Sequence, residues 1–132
     1  MAGIWRAALV PVLLTATGCA SAGGAGAQGS VTRFYDDYAQ RDGAAACALL
    51  TPGARQAVAE AAHETCARAV LRERLPRVGA VRATQVYGDQ AQVHLRGDTA
   101  FVARLDGGWR VRAVGCTPRP GAPYDCEVED GG

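Results

Sequence analysis

The hydrophobic residues of this 132-residue chain change their repeat between Pro76 and Gly79, and that switch limits the folds open to it. Before it, Val31, Phe34, Tyr35 and Tyr38 fall at i, i+3, i+4 and i+7, the single apolar stripe of a helix, with Asp36, Asp37, Gln40 and Arg41 outside it. Ser30 is placed to cap the start of this helix and Asp42-Gly43 to end it. An Ala-rich turn over 44–50 sets Cys47 and Leu50 on one face, and Thr51-Pro52 reads as an N-cap followed by Pro at the first helical position. The helix so opened runs to about Leu75, with a break near Thr65. After Gly79 the apolar residues alternate. Segments 81–87, 91–96, 99–105 and 109–115 are rich in strand formers and are separated by Gly88-Asp89, Gly97-Asp98 and Asp106-Gly107-Gly108, which are hairpin signals. The expected fold class is α+β, with N-terminal helices packed on a four-stranded antiparallel meander. Alternation puts Phe101, Ala103 and Leu105 of the third strand, with Trp109, Val111 and Ala113 of the fourth, on the face that the helices cover.

The N-terminal 18 residues follow a different logic. Arg6 precedes an apolar run from Ala7 to Leu14, and small residues lead to Gly18-Cys19. The run is too short to span a bilayer, which takes about 20 mostly apolar residues, and Pro11, Thr15 and Thr17 interrupt it. The segment resembles the type II signal peptides of bacterial lipoproteins, in which a small residue precedes the cysteine that is cleaved and acylated. Gly18 and Cys19 match that pattern, while Ala16 stands where the family prefers Leu. The resemblance implies removal of 1–18, lipid attachment at Cys19, and a membrane partner on the extracytoplasmic side. Each buried methylene contributes about 0.8 kcal/mol, so the two chains of a diacylglyceryl group hold a protein firmly where one chain does not. Ordinary secretion and an uncleaved anchor are the alternatives. Residues 19–30 read as the acylated cysteine and a flexible Ala/Gly/Ser tether, 31–127 as one domain, and 128–132 as a disordered tail.

Assigning Cys19 to lipid leaves Cys47, Cys66, Cys116 and Cys126, an even number in an exported domain, where disulfides are expected. Of the three connectivities open to four cysteines, Cys47 with Cys66 and Cys116 with Cys126 is the most local, each bond stapling one supersecondary unit. A zinc site is the competing use of such a quartet, with His63 beside Cys66, but no C-x-x-C pair supports it, and no metal or cofactor is expected. Lys and Arg total 14, and loss of Arg6 leaves 13 against 13 Asp and Glu. That balance gives no footing for a nucleic-acid partner. P-loop, dinucleotide and nucleophile-elbow motifs do not occur.

Three helices followed by a curved meander resemble the cone-shaped α+β domain of the nuclear transport factor 2-like superfamily. The tail, Gly107-Gly108-Trp109-Arg110-Val111-Arg112 through Cys116-Thr117-Pro118 to Pro123-Tyr124-Asp125-Cys126, is similar to small lipoproteins of GC-rich bacteria that carry this fold and have no assigned function. The superfamily hosts isomerases, dehydratases, hydrolases and plain binding modules, so the resemblance speaks to fold rather than reaction. Its isomerase-like members place a Tyr and acidic groups inside the cone. Here the nearest counterparts are Tyr35, Tyr38 and Asp98, which by pattern read first as core phenols and a turn residue. His94 shares a strand face with Gln92 and Arg96, and His63 sits in an Ala-rich helix beside Glu64, both surface positions by pattern. The reading is a non-catalytic module that binds an envelope protein or a small apolar ligand, with a cone-pocket enzyme as the alternative. For a protein partner, simple register gathers Arg82, His94, Arg96, Arg110 and Arg112 on the polar sheet face, where planar guanidinium groups suit carboxylates.

Replacing Cys19 with Ala is expected to remove the acyl mass and move the protein from the detergent phase to the soluble fraction, with the domain still folded. Mass spectrometry and phase partitioning of the protein from its native envelope test both halves, and wild-type chain without acyl mass at Cys19 would end the lipoprotein reading.

Overall fold

The computed structural model describes Gly3, Pro11 and residues 24–131. Apart from Gly3 and Pro11, the expected signal segment lies outside the described residues, as does Cys19. Among the described residues no helix is long and apolar enough to cross a membrane.

The order is α1 (Gly24–Ala39), α2 (Gly43–Ala48), α3 (Pro52–Ala62), α4 (Cys66–Ala69), a 3-10 turn (Val70–Arg72), then β1 (Val81–Tyr87), β2 (Gln90–Leu95), β3 (Asp98–Leu105), β4 (Gly108–Arg119) and β5 (Ala122–Glu129). All strands are antiparallel neighbours in sequence order, forming a five-stranded meander rather than the expected four. The additional strand follows from β4 running on past Cys116 and turning back at Gly121, so that Cys116 faces Cys126 across the ladder.

The apolar stripe of α1 is buried as its spacing predicts, with Val31 and Phe34 fully covered. The helix nevertheless begins at Gly24, inside the expected tether. Gly26 makes this possible: a Cβ there would lie 2.7 Å from Cδ1 of Trp109, so the glycine lets the first turn lie directly on the indole. Ser30 is therefore not a cap. It sits buried in mid-helix and satisfies its hydroxyl by donating to the Ala27 carbonyl at 2.9 Å. The helix ends at Ala39, three residues before Asp42-Gly43. Arg41 takes the left-handed conformation, its N–H reaching Tyr38 O and that of Asp42 reaching Asp37 O, the paired bonds of a Schellman stop. Asp42 instead caps α2, accepting from the Ala45 N–H at 3.0 Å. Thr51 caps α3 as expected, with Pro52 in the first turn. The break near Thr65 is real: His63, left-handed at φ 52, ends α3, and α4 starts at Cys66.

Two disulfides, Cys47–Cys66 and Cys116–Cys126, tie α2 to α4 and β4 to β5. They enclose 19 and 10 residues of sequence separation. On a chain-entropy account each is worth about 3 kcal/mol.

The helices cover one sheet face, and the space between is filled by Phe34, Leu50, Val70, Val93, Val102, Val111, Val114 and Val128. On β3 this inward set is Ala100 and Val102, not the expected Phe101, Ala103 and Leu105. Both alternating sets of β3 are apolar, so periodicity alone could not orient it. Register decides: Val102 pairs with Val111 and Ala91, both of which point inward. On β4, Trp109 and Val111 do point inward, but a bulge at Arg112 shifts the alternation, so Ala113 pairs with Phe101 on the outer face and Val114 turns in.

The C-terminal end is also ordered beyond the expected limit of 127. Val128 is fully buried opposite Val114, and the Asp130 N–H donates to Arg112 O at 2.8 Å. The Asp130 carboxylate lies over the first turn of α3, accepting from Thr51 Oγ1 at 3.1 Å, where an anion complements the helix dipole. Beside it, residues 49–51 bond the same edge of β4 through Thr51 N to Val111 O and Val111 N to Leu49 O.

Truncation after Glu127 removes both the buried Val128 and the anion at α3, and is expected to cost about 3 kcal/mol. Truncation after Asp130 should be neutral. Urea unfolding of the two forms tests this, and equal midpoints would show that the last strand does not hold the fold.

Candidate functional site

The outer sheet face carries an open groove lined by aromatic residues. Gln92, Phe101 and Ala113 lie side by side across β2, β3 and β4. The β4–β5 hairpin, held by Cys116–Cys126, brings Tyr124 against Phe101 with ring centroids 5.1 Å apart in an edge-to-face arrangement. The Gln92 amide donates to the Tyr124 hydroxyl at 3.3 Å and so fixes that ring. Together with Pro123, Cys126 and Ala113 these rings line a groove of about 230 Å³, which Arg112, Glu129 and Asp130 also border. Its size suits a side-chain-sized apolar group, and its rim offers both signs of charge. Sequence reasoning missed it, because Phe101 was placed in the core and the fifth strand was not recognised. Pro123-Tyr124 beside Cys126 was the one available signal, since a disulfide beside an aromatic residue fixes an exposed ring.

The basic set expected on this face does not form one patch. Arg110 and Arg112 belong to the end near Gln90, where Arg112 Nη1 donates to Gln90 Oε1 at 2.8 Å and Arg110 Nη1 to its neighbour's carbonyl, Trp109 O, at 3.0 Å. Arg96 lies six positions along β2 from Gln90, about 20 Å away. Its side chain runs beside Gly79. Arg82 occupies the bulge between Val81 and Ala83. His94 stays on the outer face, its Nδ1 3.4 Å from Thr99 Oγ1. Alternation failed here because bulges at Arg82 and Arg112 reset the period.

At the other side of the sheet the former turn candidate, Asp98, proves to be a buried carboxylate. Its Oδ1 accepts from the Cys116 N–H and its Oδ2 from the Gly115 N–H, each at 2.9 Å, and Oδ2 also accepts from the Tyr35 hydroxyl. Burial, and then the Asp98 carboxylate, push the Tyr35 phenol far above its ordinary value. Tyr38 is half-buried and donates to Glu73 O at 2.6 Å. Residues 75–78 pass over this pair, leaving a crevice of about 560 Å³ beside Tyr35 and Tyr38 and another of about 240 Å³ beside Asp98 and Gly115. A buried phenol needs a partner, and the resemblance to isomerase-like members was the signal that named Tyr35 and Asp98 together. His63 is exposed and serves as the left-handed stop of α3.

Two substitutions separate the roles in this pair. Asp98→Ala leaves three donors without their acceptor and is expected to cost about 3 kcal/mol or more, whereas Tyr35→Phe removes one bond and costs about 1–2 kcal/mol. Because the folded phenol binds its proton more tightly than the unfolded one, its stabilisation is complete below about pH 10 and is lost as pH rises beyond it. Denaturation measured from about pH 9 to about pH 11 should therefore show a steeper loss in wild type than in Tyr35→Phe. Parallel pH curves would contradict the linkage.

Comparison with protein-family models, with curated proteins and with solved structures returns no match to this chain.

Proposed function

We propose that the chain is a lipid-anchored, extracytoplasmic domain of the nuclear transport factor 2-like kind that acts as a non-catalytic binding module, with the Phe101–Tyr124 groove as its recognition site. The observation that carries this reading is the groove itself: two aromatic rings, fixed by a disulfide-bonded hairpin and a glutamine, half-exposed on a face that no helix covers. Rigid aromatic groups of this sort contribute contact area at low entropic cost. Two disulfides support an oxidising compartment, and Gly18-Cys19 supports acylation. The groove's apolar floor and mixed rim favour an apolar side chain of an envelope protein, or a small aromatic ligand, over an extended anionic partner. Order of elements, helices before a meander, supports the superfamily assignment.

An enzyme of the cone-pocket kind is the second reading, and Tyr35 hydrogen-bonded to Asp98 beside two crevices is the observation that favours it. Against it, three donors already occupy the carboxylate, and the space between helices and sheet is filled by side chains. A general base needs a lone pair within reach of substrate, and the one that Oδ1 keeps belongs to a buried residue.

Titration with small aromatic fragments, followed by amide and aromatic chemical shifts, distinguishes the two. Saturable shifts at Gln92, Phe101 and Tyr124 are expected, at least tenfold weaker in Tyr124→Ala, whose melting temperature should stay close to wild type. Shifts confined to Tyr35, Leu75 and Asp98 would transfer the site to the crevices and favour the enzyme.

A further inference from the structure

Among the described residues the large hydrophobic side chains that stand exposed are Val86, Tyr87 and Leu105, and all lie at one end of the sheet. Tyr87 is 62% exposed and Leu105 40%. Val86 and Tyr87 lead into the Gly88-Asp89 turn, and Leu105 into the Asp106-Gly107 turn. The two turns are neighbours, joined by the Arg104 N–H donating to Asp89 O at 2.7 Å. The same end receives the start of the described chain. Gly26 packs on Trp109, which pairs with Arg104, while the far end of α1 reaches Asp98 through Tyr35 at the opposite end of the sheet. Helix α1 thus runs away from these hairpins, and Gly24 lies beside them.

Gly24 is five positions after Cys19, so the cysteine's Cα can stand no more than about 18 Å from the helix start. An acyl group on Cys19 therefore keeps this end of the domain within about 18 Å of its anchoring point. From the position of the helix start, the short reach and the clustering of the exposed apolar residues, we infer that the two hairpin tips form a membrane-contact surface, with Tyr87 and Leu105 seated at the headgroup level. This inference rests on the lipid-anchored reading.

The chemistry of the tips fits that surface. A Tyr ring with a polar end and an apolar body suits the interface between headgroups and chains. Arg104, exposed and lying 4.8 Å over the Trp109 ring, and Arg110, whose guanidinium lies beside Gly107 in the turn, can reach lipid phosphates with their guanidinium groups. Asp89 and Asp106 in the turns offset part of that charge, so the contact depends on the apolar residues more than on anionic lipid. The Phe101–Tyr124 groove, on the outer face and reaching to β5, remains open to a partner above the membrane.

The test uses the acylated protein in lipid nanodiscs of phosphatidylethanolamine and phosphatidylglycerol containing a gadolinium-chelating lipid. Relaxation of Gly88, Asp89, Asp106 and Gly107 amides should be enhanced at least fivefold over that of Gly97 and Gly121. In Tyr87→Ser/Leu105→Ser, whose altered side chains are exposed and whose melting should match wild type, the contrast should fall to less than twofold. Equal enhancement at all turns of the acylated wild type, or stronger enhancement at Gly97, overturns the orientation and leaves the anchor standing. A protein without acyl mass at Cys19 overturns the anchor reading and this inference with it. Specific crosslinking of Tyr87 to Tyr87 of a second copy overturns the inference also, because the tips would then be covered by protein rather than lipid.

Discussion

The Asp98 carboxylate joins parts of the chain that otherwise have little to hold them in register. It opens β3, receives the hydroxyl of Tyr35 from α1, and receives two consecutive backbone N–H groups from β4. At Gly115 the backbone is left-handed, so β4 departs from regular pairing there and presents two N–H groups to one side chain. Without an anion at that point, buried donors would have no partner, and such groups are costly to leave unmade. Helix α1 can then dock at one depth only. Its first turn fits Trp109 through Gly26, its last turn fits Asp98 through Tyr35, and the stripe between them fills the sheet.

The sheet's two borders are managed differently. Beyond β5, the free edge of β4 is taken by residues 49–51, and the acidic side chain of Asp130 closes the junction with α3. At the β1 border, a bulge at Arg82 interrupts the strand, a device that discourages edge-to-edge pairing. Close backbone approach completes the helical layer: a Cβ on Gly43 would fall within van der Waals overlap of the Ala67 carbonyl, so α2 and α4 sit together where Cys47 meets Cys66.

Much of the α+β order was legible in the residues. The α1 stripe, the Thr51-Pro52 start and the Gly/Asp turns each have a local cause that acts whatever the tertiary setting. Strand faces were not legible, for a physical reason: Ala100 and Val102 compete with Phe101 and Ala103 for the core, and the winner is set by cross-strand partners far away in sequence. A single bulged residue, Arg112, then inverts everything after it. The same two effects hid the groove, whose floor is made of residues that alternation assigned to the interior. Asp98 was legible only through the resemblance. Its position after Gly97 satisfies every rule for a turn residue, and only the approach of Tyr35 and Gly115 gives its carboxylate another use.

Asp130 meets the start of α3 across 79 positions of sequence, and that sets the order in which the fold can be completed. Helices α1 to α4 have their apolar stripes but no sheet to cover until β1 to β4 exist, and α3 keeps an uncompensated first turn until Asp130 arrives. Contacts of such long sequence separation form late and cooperatively. Helix α3 therefore gains its full set of partners only once Asp130 is free to reach it.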